Sequence, residues 1–174
     1  DGGPGSAVLE ELGEVLSPFD QKLDLVILTH PHEDHVAGLV PVLQRFDVGE
    51  VMLSAPDYSN EAYRVFMEEI ERQDIPYSFA DDDHDFEFGD LRLDVLFPFE
   101  PFTGDSLDNV NNASPVIKAT WDEVDILLMG DAEMEVEAAL LAAGVDLEAD
   151  ILKAGHHGSK SSSTEAFLEA VDAD

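Results

Sequence analysis

Thirteen residues, Asp24 to Val36, constrain this chain more than any others, and they read D-L-V-I-L-T-H-P-H-E-D-H-V. Leu23 to Leu28, apolar but for Asp24, is a run of strand length that ends abruptly in His30, His32, Asp34 and His35. Imidazole and carboxylate are ligands that suit zinc and its first-row neighbours, and they must be held close together to share an ion. A strand end holds them more rigidly than a loop does. A His-rich polar turn between a strand and a helix is the bland alternative. Four potential ligands packed directly after a buried strand have no obvious use in packing, so the pattern points to a metal.

Two later stretches have the same form. Ile126-Leu127-Leu128-Met129-Gly130-Asp131 is an apolar strand ending in a carboxylate, and Ile151 to Ala154 is a strand leading into Gly155-His156-His157-Gly158-Ser159. Each alone reads as a turn: an aspartate after glycine, or two loop histidines. Beside the first cluster they read as further ligands.

The chain has 174 residues, enough for one domain with a real core, and 44% of them are hydrophobic, as in ordinary globular proteins. No apolar run approaches the roughly 18–20 residues of a membrane span, so a soluble domain without membrane contact is expected. The sequence starts at Asp1 with no methionine and no signal-peptide pattern, so a processed product or excised segment is expected. Cysteine is absent, which excludes disulfides and thiolate metal sites. Forty acidic residues against eight Lys and Arg give a net charge of −32. Such a surface repels nucleic acid in dilute buffer, because phosphate binding relies on Lys and Arg. The apolar content and clear periodicity argue against disorder. A high-salt setting, where carboxylate repulsion is screened, is the expectation.

Taken in order, Asp1-Gly2-Gly3-Pro4-Gly5 is a turn. Ser6 caps a helix to about Leu16, with Val8, Leu9, Leu12, Val15 and Leu16 as its stripe. After the Leu23–Leu28 strand comes a helix from about Val36 to Phe46, a short strand Val51–Leu53, and a helix capped by Asn60 that runs to about Arg72 with Ala62, Val65, Phe66, Glu69 and Ile70 inward. Strands are predicted at Tyr77–Ala80, Phe86–Phe88 and Leu91–Phe97, then a loop from Phe99 to Asn112. Pro115–Trp121 and Val124–Met129 form a hairpin, Glu133–Ala143 is a helix ending at Gly144, and Thr164-Glu165 opens a last helix to Val171. Strands interspersed with helices make a layered α/β domain.

His30-Pro31-His32-Glu33-Asp34-His35 matches the H-x-H-x-D-H signature of the metallo-β-lactamase superfamily. The wording L-T-H-P-H-E-D-H-V-A-G-L resembles the metallo-hydrolase domain of the ComEC competence family, and Lys153-Ala154-Gly155-His156-His157-Gly158-Ser159 is similar to that family's K-V-G-H-H-G-S. Phosphorylcholine esterases of the superfamily are similar too. The resemblance covers nearly the whole chain. It implies a single domain over residues 1–174, an αββα sandwich, with additional strands in relatives before Asp1 and after Asp174, so that the chain is a fragment of a larger domain or chain. It also implies two divalent ions, zinc first and manganese as the alternative, held by His30, His32, Asp34, His35, Asp131 and either His156 or His157. His30 and His32 take the first ion, Asp34 and His35 the second, and Asp131 bridges. His156 is favoured as the ligand because relatives place it first in such turns, leaving His157 beside it or on substrate. Asn111-Asn112-Ala113-Ser114 matches the relatives' N-N-x-S, with Pro115 in place of their apolar residue, and lines the site. Asp34, Asp131, Asn112 and Ser114 are the catalytic candidates. Asp1 matches an I-D-G-G aspartate that supports a ligand histidine. Lys153 and Lys160 flank the second turn and are candidates for steering phosphate, or plain surface lysines. His84, in an acidic loop, reads as solvated rather than ligating.

The implied activity is hydrolysis of a phosphodiester by metal-bound hydroxide, with single-stranded DNA as the suggested substrate. A small-molecule phosphodiesterase and a non-catalytic binding module are the alternatives, and a β-lactam substrate fits worst. The implied setting is extracellular or within a membrane-associated parent. Other chemistries fail on residues. Val36 stands where H-E-x-x-H needs histidine, no G-x-S-x-G elbow exists, and Gly3-Pro4-Gly5 lacks the third glycine of a dinucleotide loop. Raising salt from about 0.1 M to about 1 M shortens the screening length from about 10 to 3 Å. The melting temperature is expected to rise over that range, and calorimetry showing no rise would refute the high-salt reading.

Overall fold

The structure, a computed structural model, describes residues 2–3 and 5–173. Asp1, the proposed histidine support, lies outside them. The chain divides into two compact units, one of residues 1–79 with 103–106, the other of residues 80–102 with 107–174.

In the first unit α1 (Ala7–Val15) precedes β1 (Lys22–Leu28), α2 (Glu33–Val36), α3 (Leu39–Arg45), β2 (Asp47–Leu53), α4 (Glu61–Gln73) and β3 (Tyr77–Phe79). The three strands are parallel in the order β1-β2-β3. Parallel neighbours need crossovers, here made by α2–α3 and by α4. Val26 and Leu28 of β1, Val51 and Leu53 of β2, Val42 and Leu43 of α3, and Phe66 and Ile70 of α4 form one buried cluster. In α1, Val8, Leu9 and Leu12 pack on it, but Val15, expected in the stripe, is exposed. Ser6 holds the N-cap position without a capping bond, its hydroxyl donating to Glu10 instead.

Two local expectations are corrected. The predicted helix from Val36 to Phe46 is two helices with a break at Ala37-Gly38, and the first begins earlier, at Glu33. Pro41 is the reason: it has no N–H to donate and would clash inside a continuous helix, whereas a restart at Leu39 puts it in the first turn. Strand β2 begins at Asp47 rather than Val51, because Lys22 and Leu23 of β1 supply ladder partners for Asp47 and Val48. Pairing overrides the poor strand propensity of Asp-Val-Gly-Glu.

In the second unit β4 (Phe86–Phe88), β5 (Leu91–Phe97), β6 (Val116–Trp121), β7 (Val124–Leu128) and β8 (Ile151–Lys153) form one sheet in sequence order. All pairs are antiparallel except β7 with β8. The β6–β7 hairpin turns at Asp122-Glu123 as expected, since Trp121 pairs with Val124. The expected loop after Phe99 ends in a short 3-10 turn, Val110–Ala113. Helices α5 (Met134–Ala143) and α6 (Glu165–Val171) bury Val136, Leu140, Phe167 and Val171 against Phe97, Val116 and Leu127 of the sheet. Glu137 is fully buried, yet its carboxylate accepts from the Thr164 amide at 2.9 Å and the Thr164 hydroxyl at 2.7 Å, holding the start of α6. Among the described residues no helix is long and apolar enough to cross a membrane.

Glu69 shows how the inner face of α4 tolerates a carboxylate. Arg72 and Gln73 of the next turn both donate to it, and the Gln73 amide also reaches the Leu43 carbonyl of α3 at 2.6 Å. The Arg72 guanidinium holds the Glu69 carboxyl below its ordinary value of 4.5, against the opposing effect of burial. Its contribution to stability is therefore present above that value and lost as pH falls through the lowered one. Glu69→Gln is expected to cost about 1–2 kcal/mol near neutral pH and to flatten the acid limb of the stability curve, both measured by urea unfolding.

Candidate metal centre

In the first unit the end of β1 and the start of α2 gather the histidines. His32 is the N-cap residue of α2, and Asp34 and His35 lie in its only turn. His30 and His35 are fully buried, while the Asp34 side chain is 67% exposed. The Thr29 hydroxyl lies 3.2 Å from His30 Nδ1 and 3.5 Å from His35 Nδ1, so one side chain orients both rings. Those two rings are 4.0 Å apart between centroids. His30 Nε2 and His32 Nδ1 face each other at 3.0 Å. A hydrogen bond between rings has that length, and so, nearly, do two nitrogens sharing a tetrahedral zinc, which at bonds of about 2.0–2.1 Å sit roughly 3.3 Å apart. Asp34 Oδ2 lies 3.6 Å from His35 Nε2.

The backbone of this turn is clamped from two sides. Asn60, besides capping α4 by accepting from the Tyr63 amide at 2.7 Å, donates through Nδ2 to the Pro31 carbonyl at 2.6 Å. Gly2 and Gly3 donate their amides to the carbonyls of His35 and Asp34, each at 2.8 Å. That docking requires a glycine at 38, since a Cβ there would stand 1.8 Å from the Gly2 oxygen.

In the second unit Asp131 follows β7 and is buried. Its amide donates to the Ser114 hydroxyl at 3.1 Å, and the preceding carbonyl, of Gly130, accepts from Lys153 Nζ at 2.9 Å. Burial pushes the Lys153 ammonium below its ordinary value, with Asp131 pulling the other way. Lys153 is thus half-buried and engaged, whereas Lys160 is exposed. The G-H-H-G turn is sharply wound: His156 and His157 have φ of 43° and 53°, and Gly158 continues at 72°. Left-handed backbone at two histidines is costly and persists only where the surroundings enforce it. Gly155 is part of that enforcement, because its Cα packs so near Ala132 that a Cβ would lie 2.2 Å from the Ala132 oxygen. The Ser162 hydroxyl donates to the Gly155 carbonyl at 2.8 Å. His157 Nε2 lies 3.4 Å from Asp131 Oδ2.

Asn112 and Ser114, expected to line the site, have hydrogen-bond partners within the protein. The Asn112 amide oxygen accepts from the Glu133 N–H at 2.9 Å and its Nδ2 donates to Glu135 at 3.1 Å, while Ser114 is fully buried on the Asp131 amide. It is the other asparagine, Asn111, that reaches the histidine turn, donating to Glu133 Oε1 at 2.9 Å. Glu133 in turn lies 2.7 Å from His156 Nδ1. Burial raises its carboxyl, but hydrogen bonds from Asn111 and Asn109 and the nearby His156 outweigh that and hold it low. Nothing in the sequence singled out Glu133; its place two residues after Asp131 was the available signal. His84 lies on a turn with its ring 5.1 Å from that of Phe86.

These groups fit divalent ions by chemistry: neutral-capable imidazoles, carboxylates, and side chains that orient them through their other atoms. The buried Asn111 carbonyl oxygen has no protein partner among the described residues, which is the kind of orphan a bound group satisfies.

The family model described as the metallo-β-lactamase superfamily matches residues 2–174. ComE operon protein 3 of Bacillus subtilis is 31% identical over 92% of this chain and 21% of its own length. Recombination protein 2 of Haemophilus influenzae is 28% identical over 87% of this chain and 17% of its own length. Competence protein ComA of Neisseria gonorrhoeae is also 28% identical, over 87% of this chain and 19% of its own length. The chain therefore spans about a fifth of the length of these relatives. Among solved structures, YhfI of Bacillus subtilis, a metallo-β-lactamase fold protein, aligns with a TM-score of 0.50 at 19% identity, over 85% of this chain and 54% of that one. A variant of the β-hydroxylase CmlA aligns with a TM-score of 0.50 at 18% identity, over 76% of this chain and 26% of that one. At such identities the likeness concerns the fold, which is mixed α/β.

The tight approach at Gly155 gives a test of the turn. Gly155→Ala is expected to destabilise the protein by about 1–3 kcal/mol, since a backbone oxygen cannot move aside. A urea midpoint equal to the parent's would show that the turn is not held as described.

Proposed function

The chain belongs to the metallo-β-lactamase superfamily, and we propose that within it this protein is a two-metal phosphodiesterase of the competence-protein type. The observation that carries the reading is the convergence of His30 Nε2 and His32 Nδ1 at 3.0 Å, with the His35 ring 4.0 Å from that of His30, at a strand end in a member of a superfamily of metal-dependent hydrolases. In this reading His30 and His32 hold one ion, Asp34 and His35 the other, Asp131 both, and the Gly155–Gly158 turn supplies the last ligand. Zinc suits the ligand types, and manganese accepts the same set.

When bound, such a pair of ions activates water at neutral pH and stabilises the charge of the attacking and leaving oxygens. The rest falls to the chain. Thr29 and Asn60 set the rings and backbone of the histidine turn, and Ser114 and Lys153 set the backbone around Asp131. Lys153 also leaves positive charge near Asp131, in a chain with only eight Lys and Arg residues.

Single-stranded DNA is the proposed substrate, on the resemblance to the ComEC competence family, one relative of which is named competence protein ComA. The charge of −32 favours a second reading, a small diester. A polyanion is repelled over a screening length of about 10 Å at 0.1 M salt but only about 3 Å at 1 M. Turnover of an oligonucleotide should rise with salt, and turnover of bis-p-nitrophenyl phosphate should not.

Elemental analysis after zinc loading is expected to find about two ions per chain. Asp131→Asn should lower bis-p-nitrophenyl phosphate turnover by roughly a hundredfold or more while leaving the circular dichroism spectrum unchanged. Retained turnover would remove Asp131 from its bridging role. A protein that takes up no metal and hydrolyses neither substrate would be a binding module.

A further inference from the structure

A chain of net charge −32 repels the phosphates of a nucleic acid and has only eight Lys and Arg to attract them. Any firm grip on such a substrate must therefore fall on its uncharged parts. We propose that the cavity formed by Tyr58, Tyr63, Arg64 and Met67 is a binding site for an unpaired nucleobase, which stacks there while its diester lies at the histidine turn. That the base belongs to a substrate rests on the phosphodiesterase reading above, and the base site itself rests on the protein's own contacts.

The cavity lies within the first unit and holds about 390 Å³, inside the roughly 300–1,000 Å³ range of small-molecule sites. Tyr63 and Met67 stand four apart on α4 and so share a face, with Arg64 beside them. Tyr58 comes from the segment between β2 and α4. Two contacts tie the lining to the histidine turn. The Tyr58 ring meets that of His32 edge to face, with centroids 5.3 Å apart. Asn60, also in the lining, donates to the Pro31 carbonyl at 2.6 Å. One aromatic ring thus touches both the cavity and a candidate metal ligand.

The chemistry of the lining selects a flat, uncharged ligand. Tyr58, Tyr63 and Met67 are half-buried and offer two aromatic rings and a polarisable thioether. Arg64, the cation of the lining, is already engaged along its edge. Its Nε donates to Glu61 at 3.0 Å, and its terminal nitrogens go to Glu61 and Glu68. A guanidinium held in this way keeps its plane for stacking, and bases stack on arginine planes as they do on aromatic rings. With two carboxylates offsetting that one positive charge, the cavity favours a neutral group over a phosphate. Asn60 is committed at both ends, to the Tyr63 amide and the Pro31 carbonyl, so its amide is not available to read a base edge. Stacking without edge recognition accepts any base, provided that the base is unpaired, which favours single strands over duplex.

The test reads binding on metal-free protein carrying carbon-13 methyl groups on its four methionines, Met52, Met67, Met129 and Met134. Met52 is fully buried, and Met129 and Met134 belong to the second unit, so these three are internal controls. Met67→Leu assigns the reporting signal. Titration with deoxyadenosine, a nucleoside without phosphate, is expected to shift the Met67 methyl and leave the other three in place, and deoxyribose alone should shift none. Tyr58→Ala should weaken the nucleoside affinity roughly tenfold, and Arg64→Ala should weaken it several-fold. Tyr58→Phe keeps the ring and should bind as the parent does. No shift of the Met67 methyl, or an unchanged affinity in Tyr58→Ala, would overturn the proposal. If Tyr58→Ala does not fold, an unchanged affinity in Arg64→Ala, a change at a side chain 53% exposed, would overturn it equally. Nucleoside binding in a protein that hydrolyses no diester would end the phosphodiesterase reading and uphold the base site. Turnover of bis-p-nitrophenyl phosphate without any nucleoside shift would do the reverse.

Discussion

Everything about the first cluster depends on where β1 stops being buried. Its pairing with β2 runs unbroken to Leu28 opposite Leu53, and Leu28 is fully buried. A strand that deep cannot end in solvent-seeking groups without giving each of them a partner. Thr29 answers for two imidazoles at once, Asn60 for the Pro31 carbonyl, and the Gly2-Gly3 amides for the carbonyls of Asp34 and His35. The histidine turn is thus specified by backbone and side-chain hydrogen bonds before any ion is considered, as sites that must hold fixed geometry generally are.

The second cluster reaches the same end by different means. Its histidines sit in left-handed backbone, a conformation local propensity does not favour, and the cost is met by close packing of Gly155 on Ala132 and by the serines that follow. Left-handed backbone at two adjacent histidines is the kind of outlier that functional positions carry. The N-N-A-S stretch acts here as scaffolding: Asn112 and Ser114 hold backbone amides of Glu133 and Asp131, and Asn111 holds the carboxylate that holds His156.

The extreme acidity is a separate layer of selection. Two of the buried carboxylates have donors nearby: Glu69 takes Arg72 and Gln73, and Glu137 takes the start of α6. The remaining acidic residues are mostly on the surface, where they set solubility, salt response and the kinds of substrate that can approach rather than the fold.

The sequence by itself determined the fold class, most element positions and the identity of the ligand-type residues. The H-x-H-x-D-H run, the Gly-Asp strand end and the G-H-H-G turn are contiguous patterns, and contiguous patterns are what a one-dimensional reading detects. It did not determine the break between α2 and α3, although its local cause, Pro41, was in view, nor the early start of β2, which depends on pairing with a segment elsewhere in the chain. It did not show which partners the N-N-A-S side chains take. Those side chains bond residues some twenty positions away, Asn112 to Glu133 and Ser114 to Asp131. Glu133 escaped notice for the same reason: a glutamate at a helix start looks like any other until the fold sets it 2.7 Å from an imidazole. Residue type limits which chemistry is possible, but orientation comes from long-range hydrogen bonds, and only the tertiary structure decides those.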